Sequence, residues 1–347
     1  MKKSLIAIMG LLLICGCLGN NTTSTETKIQ STQGIGVLEF KAVVDDMIAS
    51  TYNYLLLSIR NNAEGSSAKN IMVSLENVEP FMIYECNQEH APNEKRTSVC
   101  NQFFDDVGEA YRTHKINNML PDEEIQFFWN IRAPTEQEIV NLAYDQTIYY
   151  SMSYDYTTTV TQTIAGISQA EYLERSKEGA VTLSGQTISS PGEVKIESKT
   201  QQPIIYTEGS SIPLDFTLQF ELDNVGTGVP KPGSTIIVAV KSDESTSVNE
   251  ELARRAGWLQ YSEIQSAFDA KFPLIEFEEL TSTIREGLWI TSIDSSLIRS
   301  SSYSLILPVQ FNTGNVYEPQ KILTFSAYIS YTYLKEGSTS ISVYPVE

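Results

Sequence analysis

The chain of 347 residues sets 24 Lys and Arg against 43 Asp and Glu, a formal charge of −19, and has only two histidines. That balance excludes the basic footprint by which proteins hold nucleic acid. It points to a solvated acidic surface, and the length alone predicts two domains of about 150 residues.

Lys2 and Lys3 precede an apolar run from Leu5 to Ile14, and the chain turns polar at Asn20, the order of a secretory signal. The ten apolar residues fall short of the ~20 a helix needs to cross a bilayer. The run closes on Ile14-Cys15-Gly16-Cys17, where Gly16 before Cys17 resembles the lipobox of bacterial and archaeal lipoproteins. The resemblance implies cleavage after residue 16 and a lipid on Cys17, whose two acyl chains give stable anchoring where one is marginal. Residues 1–16 are then the signal peptide. Their loss leaves 22 basic against 43 acidic residues, a formal charge of −21.

Residues 17–33 read as a lipidated Ser/Thr/Asn-rich tether with almost nothing apolar to bury, and Asn20 and Asn21 each open a glycosylation sequon. Two cysteines remain beyond it, Cys86 and Cys100. On the oxidising side of a membrane an even pair is most simply one disulfide. A thiolate–imidazole metal site with Glu85, Glu89 and His90 is the alternative, but its spacing is irregular.

The folded part is expected as residues 34–175 and 191–347, divided by a Ser/Gly-rich linker at 176–190. An internal repeat carries this division. Ser153-Tyr154-Asp155-Tyr156 recurs as Ser330-Tyr331-Thr332-Tyr333, preceded by Ile148, Tyr150 and Met152 in one copy and Phe325, Ala327 and Ile329 in the other. Ile164 and Ile341 follow at the same offset, which suggests a hairpin in register. Leu55, Leu57 and Ile59 lead to Asn61 and Gly65 as Leu218, Phe220 and Leu222 lead to Asn224 and Gly228, and the next strands are Ile71-Val73-Leu75 and Ile236-Val238-Val240. Phe127, Trp129 and Ile131 add a strand launched at Pro121-Asp122 and stopped at Pro134. Period-2 alternation bounded by turn residues is the mark of half-buried antiparallel strands, so the fold class is all-β. Each half is expected as a β-sandwich of about seven strands, with helical insertions at Pro134–Tyr144 and Val248–Lys271.

The strand-Asn-x-Gly-strand openings, the Trp129 strand ending in Ala133-Pro134 and the Tyr-x-Tyr strand near each end resemble the immunoglobulin-like, CARDB-type domains of archaeal surface proteins. The Cys-Gly-Cys signal ending is similar to that of archaeal lipoproteins. The resemblance implies an adhesive or structural surface module and carries over no catalytic residue. The antibody-type disulfide with an intervening Trp has no counterpart, because Cys86 and Cys100 lie close together with none between them.

Catalytic motifs are lacking: there is no phosphate loop, no GxSxG and no HExxH. Ser66-x-x-Lys69 matches the Ser-x-x-Lys of penicillin-recognising enzymes in letters only, since it falls in a turn between two strands. Acidic groups at Asp45-Asp46, Asp105-Asp106, Asp122-Glu123-Glu124 and Glu276 with Glu278 and Glu279 invite a calcium reading, but none has calcium-loop spacing. The expectation is a non-enzymatic, lipid-anchored extracellular module for binding, adhesion or structure. It needs no metal or cofactor, and its partner is a surface protein or glycan. An ion- or solute-binding accessory lipoprotein of a membrane transporter is the alternative and requires a concave site of convergent polar groups. The disulfide loop and the Val248–Lys271 insertion are the expected contact regions, because the halves differ most there.

Overall fold

A computed structural model describes residues 34–63, 66–84, 112–140, 142–179, 181, 183, 185–242, 244–263, 287–299 and 302–346. The expectations at Cys17, Asn20, Asn21, Cys86, His90 and Cys100 lie outside the described residues.

In chain order the first half contributes β1 (Ile35–Ala42), β2 (Asp46–Ile48), β3 (Tyr52–Asn61), β4 (Ala68–Glu76), β5 (Met82–Tyr84), β6 (Thr113–Met119), β7 (Glu124–Arg132) and β8 (Tyr144–Ser168). A short helix, α1 (Gln169–Lys177), follows, then β9 (Thr187–Ser189), β10 (Val194–Ser198), β11 (Ile204–Tyr206), β12 (Leu214–Asn224), β13 (Val229–Pro230), β14 (Thr235–Lys241) and β15 (Thr246–Val248). The chain closes with α2 (Glu250–Arg255), β16 (Leu259–Gln260), β17 (Leu288–Asp294), β18 (Tyr303–Phe311) and β19 (Gln320–Tyr344).

The protein is all-β, built of antiparallel sheets stacked as sandwiches. One four-stranded sheet has the order β1-β3-β7-β5 and a second has β10-β12-β18-β15. Both cover an eleven-stranded sheet whose main path is β16-β17-β14-β19-β8-β4-β6. Leu55, Leu57 and Ile59 of β3 and Leu218 and Leu222 of β12 are each fully buried, as their alternation predicts. The Asn residues that end these strands do matching work. Asn61 Nδ2 donates to the Ser66 carbonyl at 2.8 Å and Asn224 Nδ2 to the Gly228 carbonyl at 2.9 Å, closing each loop with a side-chain bond.

The repeat reappears as topology. β1, β3, β4, β7 and β8 correspond to β10, β12, β14, β18 and β19, and the short parallel partners β2 on β19 and β11 on β8 correspond too. The two halves are nevertheless joined by more than a linker. β8 and β19 pair antiparallel along nearly their full length, from Gln320 against Ile167 to Val343 against Tyr144. The described residues of the two halves accordingly belong to one compact unit. The order β1-β3-β7-β5 matches the A-B-E-D sheet of an immunoglobulin sandwich, while β4 and β8 stand where C and F would. The place of strand G, beside F, is filled for each half by the long strand of the other.

Several expectations change in detail. The hairpin expected between Tyr156 and Ile164 is one continuous strand, because Thr157–Gln162 offers β-branched threonines and no turn former. Residues 176–190, expected as a linker, include the end of α1 and the strand β9, which pairs with β8 through Val160–Gln162. Where a helix is expected over Pro134–Tyr144, residues 136–140 form turns and Tyr144 opens β8. The second insertion is helical at Glu250–Arg255, capped by Asn249, and passes into β16 at Leu259–Gln260, with Leu252 and Leu259 exposed and Trp258 buried; its part beyond residue 263, with Ile264 and Phe268, lies outside the described residues. Among the described residues no helix is long and apolar enough to cross a membrane.

Candidate functional site

The β8–β19 seam has two chemically different faces. Alternation sends Tyr154 and Tyr156 inward with Tyr331 and Tyr333, and all four are buried. Tyr154 lies opposite Tyr333 and Tyr156 opposite Tyr331, with ring centroids 5.9 and 6.1 Å apart. Such tilted pairs are worth about 0.5–1.5 kcal/mol beyond their burial.

Against these rings sits Glu193, fully buried just before β10. Its carboxylate accepts from the Tyr154 hydroxyl, from the Ile35 backbone N–H at 3.2 Å and from the Tyr331 hydroxyl at 3.3 Å. The Lys335 ammonium lies 3.6 Å away and donates to the Ile35 carbonyl. Tyr331 is also held from the other side, accepting the Glu193 and Val194 N–H groups at 2.9 and 3.2 Å. Tyr333 donates to Asn224 Oδ1 at 2.7 Å. Burial pushes the Tyr154 and Tyr331 phenols well above their ordinary range, and the Glu193 charge pushes the same way. Burial pushes Lys335 down, against the raising pull of Glu193. These groups face one another and the core rather than solvent, so the cluster fastens β1, β8, β10 and β19 together.

The opposite face of the same strands is open. Asp155 lies at the centre of the seam, opposite Thr332. Thr332 Oγ1 donates to one of its carboxylate oxygens at 2.6 Å and Asn70 Nδ2 to the other at 2.9 Å. Around them a groove of about 480 Å³ opens, bounded by Met72 of β4, Lys115 and Asn117 of β6, Ser153 of β8, and Lys231 and Ser234 of the β13–β14 turn. Among the described residues no histidine or cysteine lines it. A second hollow, of about 840 Å³, lies in the second half, where Lys241 and Glu244 face Asn312, Lys321 and Tyr328.

Of the carboxylates suspected of binding calcium, Asp45 and Asp46 lie exposed at the start of β2, and those at 122–124 are engaged. Asp122 bridges Arg60 at 3.1 Å, Glu123 accepts from the Leu120 N–H at 2.8 Å and Glu124 from the Ser58 hydroxyl at 3.3 Å. Asp105, Asp106 and the Glu276 group lie outside the described residues. One acidic cluster that the sequence did not single out is formed by Glu197, Glu221 and Asp223, whose oxygens lie within 4.8 Å of one another. Lys199 reaches into it, 2.9 Å from Glu197 and 3.0 Å from Glu221, and supplies the counter-charge.

His114 packs at 4.9 Å from the Trp129 ring, its Nε2 lies 3.2 Å from the Phe128 carbonyl, and burial lowers its pKa. It is a structural imidazole. Ser66 lies before β4 rather than at a helix start, so the Ser-x-x-Lys pattern has no structural basis. Sequence reasoning missed Glu193, Lys335, Lys115 and Lys231. A signal existed for Lys335, which continues the inward alternation of Tyr331 and Tyr333 and so falls on the buried face. Glu193, in the irregular Pro191-Gly192 segment, gave none.

The fold and its open sites define a β-sandwich protein with open concavities on its central sheet. No family model and no curated protein matches the chain. Among solved structures, the Enterococcus faecalis MSCRAMM ACE, described as binding its ligands by the collagen Hug model, aligns over 90% of this chain and 96% of its own at 10% identity and a TM-score of 0.20. The S. aureus collagen adhesin (CNA) aligns over 91% and 96% at 8% identity and a TM-score of 0.16. At such TM-scores the superpositions assign neither ligand nor ancestry.

Proposed function

We propose that this protein is a non-enzymatic surface module that binds a partner outside the cell, anchored through a lipid on Cys17 and raised on the tether of residues 17–33. One contrast carries the reading. The phenols that burial perturbs most, Tyr154 and Tyr331 foremost, are sealed in the seam, whereas the open concavity on the same strands presents amides, hydroxyls, lysines and the Asp155 carboxylate, with no histidine or cysteine among the described residues that line it. Catalysis needs a perturbed acid or base that substrate can reach, and binding needs a rigid exposed surface. The body also begins where the tether should end, since Ile35 is clamped at both its N–H and its carbonyl.

The full chain made in a lipoprotein-processing host tests both parts. Intact cells should attach to an immobilised extracellular surface, and Cys17→Ser should release the protein or leave it unprocessed, abolishing attachment. Processed, membrane-bound protein after Cys17→Ser would overturn the anchor. A turnover activity lost on changing His114 would overturn the binding reading.

A further inference from the structure

The groove over the seam exists only because the halves are joined. β4, β6 and β8 build one wall and the β13–β14 turn and β19 the other, with the Asp155–Thr332 pair on its floor. Among the described residues, its two cations differ from the many that are paired with carboxylates. Arg60 is met by Asp122, Lys199 by Glu197 and Glu221, and Lys321 by Glu318, but neither Lys115 nor Lys231 has a carboxylate partner among the described residues. The one carboxylate between them, Asp155, has both oxygens taken by Thr332 and Asn70. Two ammonium groups with no carboxylate ion-pair partner among the described residues therefore face the same hollow, on either side of the hydrogen-bonded Asp155 carboxylate on its floor.

Register gives their separation. Lys115 lies across from Met72, Met72 from Ser153 and Ser153 from Leu334, so β6, β4, β8 and β19 are crossed in turn, and Lys231 is tied to the far side of β19 through its N–H to the Thr332 carbonyl at 2.8 Å. At about 4.8 Å per strand the two backbones stand roughly 19 Å apart. With their backbones that far apart, the two lysines stand on opposite sides of the groove, where an extended chain with repeated negative charges can reach both. Between the cations lie amide and hydroxyl groups, Asn117, Ser153 and Ser234, with Met72 as an apolar patch of the floor. The backbone of this floor is already paired within the sheet, so a peptide could not add as a strand. A ligand rich in hydroxyls could use the side chains.

We propose that this groove binds an acidic polysaccharide, a chain carrying carboxylate or sulfate groups, with Lys115 and Lys231 as the charge contacts at opposite rims; the proposal rests on the surface-binding reading above and names its ligand class. In about 0.1 M salt the Debye length is about 10 Å, so the negative body is screened and the rim lysines act locally.

The test uses the full lipidated chain in detergent micelles, with polygalacturonate and dextran sulfate as probes and neutral dextran and polyglutamate as comparisons. Wild type should bind both acidic polysaccharides, bind neutral dextran at least about tenfold more weakly, and lose affinity at high salt. Lys115→Gln with Lys231→Gln should weaken binding about tenfold or more, while Lys177→Gln, at the end of α1 away from the groove, leaves it unchanged. Thermal unfolding of each variant confirms that the fold is retained. Binding indifferent to the double substitution overturns the site. Equal capture of polyglutamate overturns the ligand class in favour of an acidic peptide. Failure to bind any polyanion while cells still attach to an extracellular surface overturns this inference alone, whereas loss of all attachment by wild type would sink the surface-binding reading itself.

Discussion

Glu193 would be a liability on its own, because an unpaired buried carboxylate costs several kcal/mol. Lys335 at 3.6 Å, the Tyr154 and Tyr331 hydroxyls and the Ile35 N–H together make it tolerable. Glu193→Leu alone strands the Lys335 ammonium and should cost about 3–5 kcal/mol, and Lys335→Met should do similar harm by stranding the carboxylate. Combined, the two should cost less than their sum by at least about 1 kcal/mol in urea unfolding. Strict additivity would mean that the pair does not interact. The tyrosines make a separate prediction about pH. Tyr154 and Tyr331 are raised above their ordinary 10.0 by burial first and the Glu193 charge second. The unfolded chain sheds these protons near that value and the folded chain keeps them, so their contribution is whole below about pH 10 and is lost as pH rises toward the folded values. Lys335, lowered by burial, works in the opposite direction between its folded value and 10.5. Above about pH 10 the two phenols outweigh the one amine, so urea midpoints should fall as pH rises past about 10 toward the folded phenol values. Tyr154→Phe and Tyr331→Phe should flatten that fall, and an equal slope in the double variant would refute the assignment.

At the scale of strands and turns, the Asn-x-Gly loops show what the sequence made legible and what it hid. Alternation placed β3, β4, β7, β12 and β14 correctly, because a residue facing the core every second position is a local property. It could not say that Gly228 is required by a distant strand. A Cβ there would stand 2.1 Å from the Leu334 carbonyl and 2.9 Å from Lys335 Cγ, where β13 pairs with β19. Gly233 has φ of 73° but open space around it. Gly228→Ala must therefore move backbone and should cost about 1–3 kcal/mol, whereas Gly233→Ala meets only conformational strain of about 1 kcal/mol. Thermal unfolding should rank them in that order, and the reverse ranking would show that the β13–β19 contact yields easily. The short elements failed differently. Pro134–Tyr144 has helix-like spacing, but Tyr144 is taken into β8, and in the second insertion the helix at Glu250–Arg255 gives way to the two-residue β16 at Leu259, so pairing with a neighbouring strand overrode the local pattern at those points. The groove lysines were invisible for the same reason: Lys115 and Lys231 are 116 positions apart in sequence and meet only through the register of four strands.

On the scale of the whole molecule, the equivalence of the halves and their dependence on each other have one cause. Each half contains the A-B-E-D sheet and the C and F strands of a sandwich, and the position beside F is filled by the F-like strand of the other half. Sequence repetition reveals the equivalence but is silent on the exchange, since a strand that completes its own domain and one that completes a neighbour show the same alternation. The consequence concerns folding. A fragment of residues 34–175 would leave β8, 25 residues long, as an open edge, with Tyr154 and Tyr156 stripped of Tyr331, Tyr333 and Glu193. Long uncovered edges promote association. Self-pairing of β8 about the same local axis would set Asp155 against Asp155 where Thr332 now donates to it, so a second copy is a poor substitute for β19. The fragment alone should therefore elute as aggregate or lack a cooperative unfolding transition. Co-expression with residues 176–347 should recover a one-to-one complex whose unfolding resembles that of the intact chain. Size-exclusion chromatography with circular dichroism distinguishes the outcomes. A stable, cooperatively folded monomer of residues 34–175 would show that the β8–β19 pairing is a docking of two self-sufficient domains rather than the completion of each by the other.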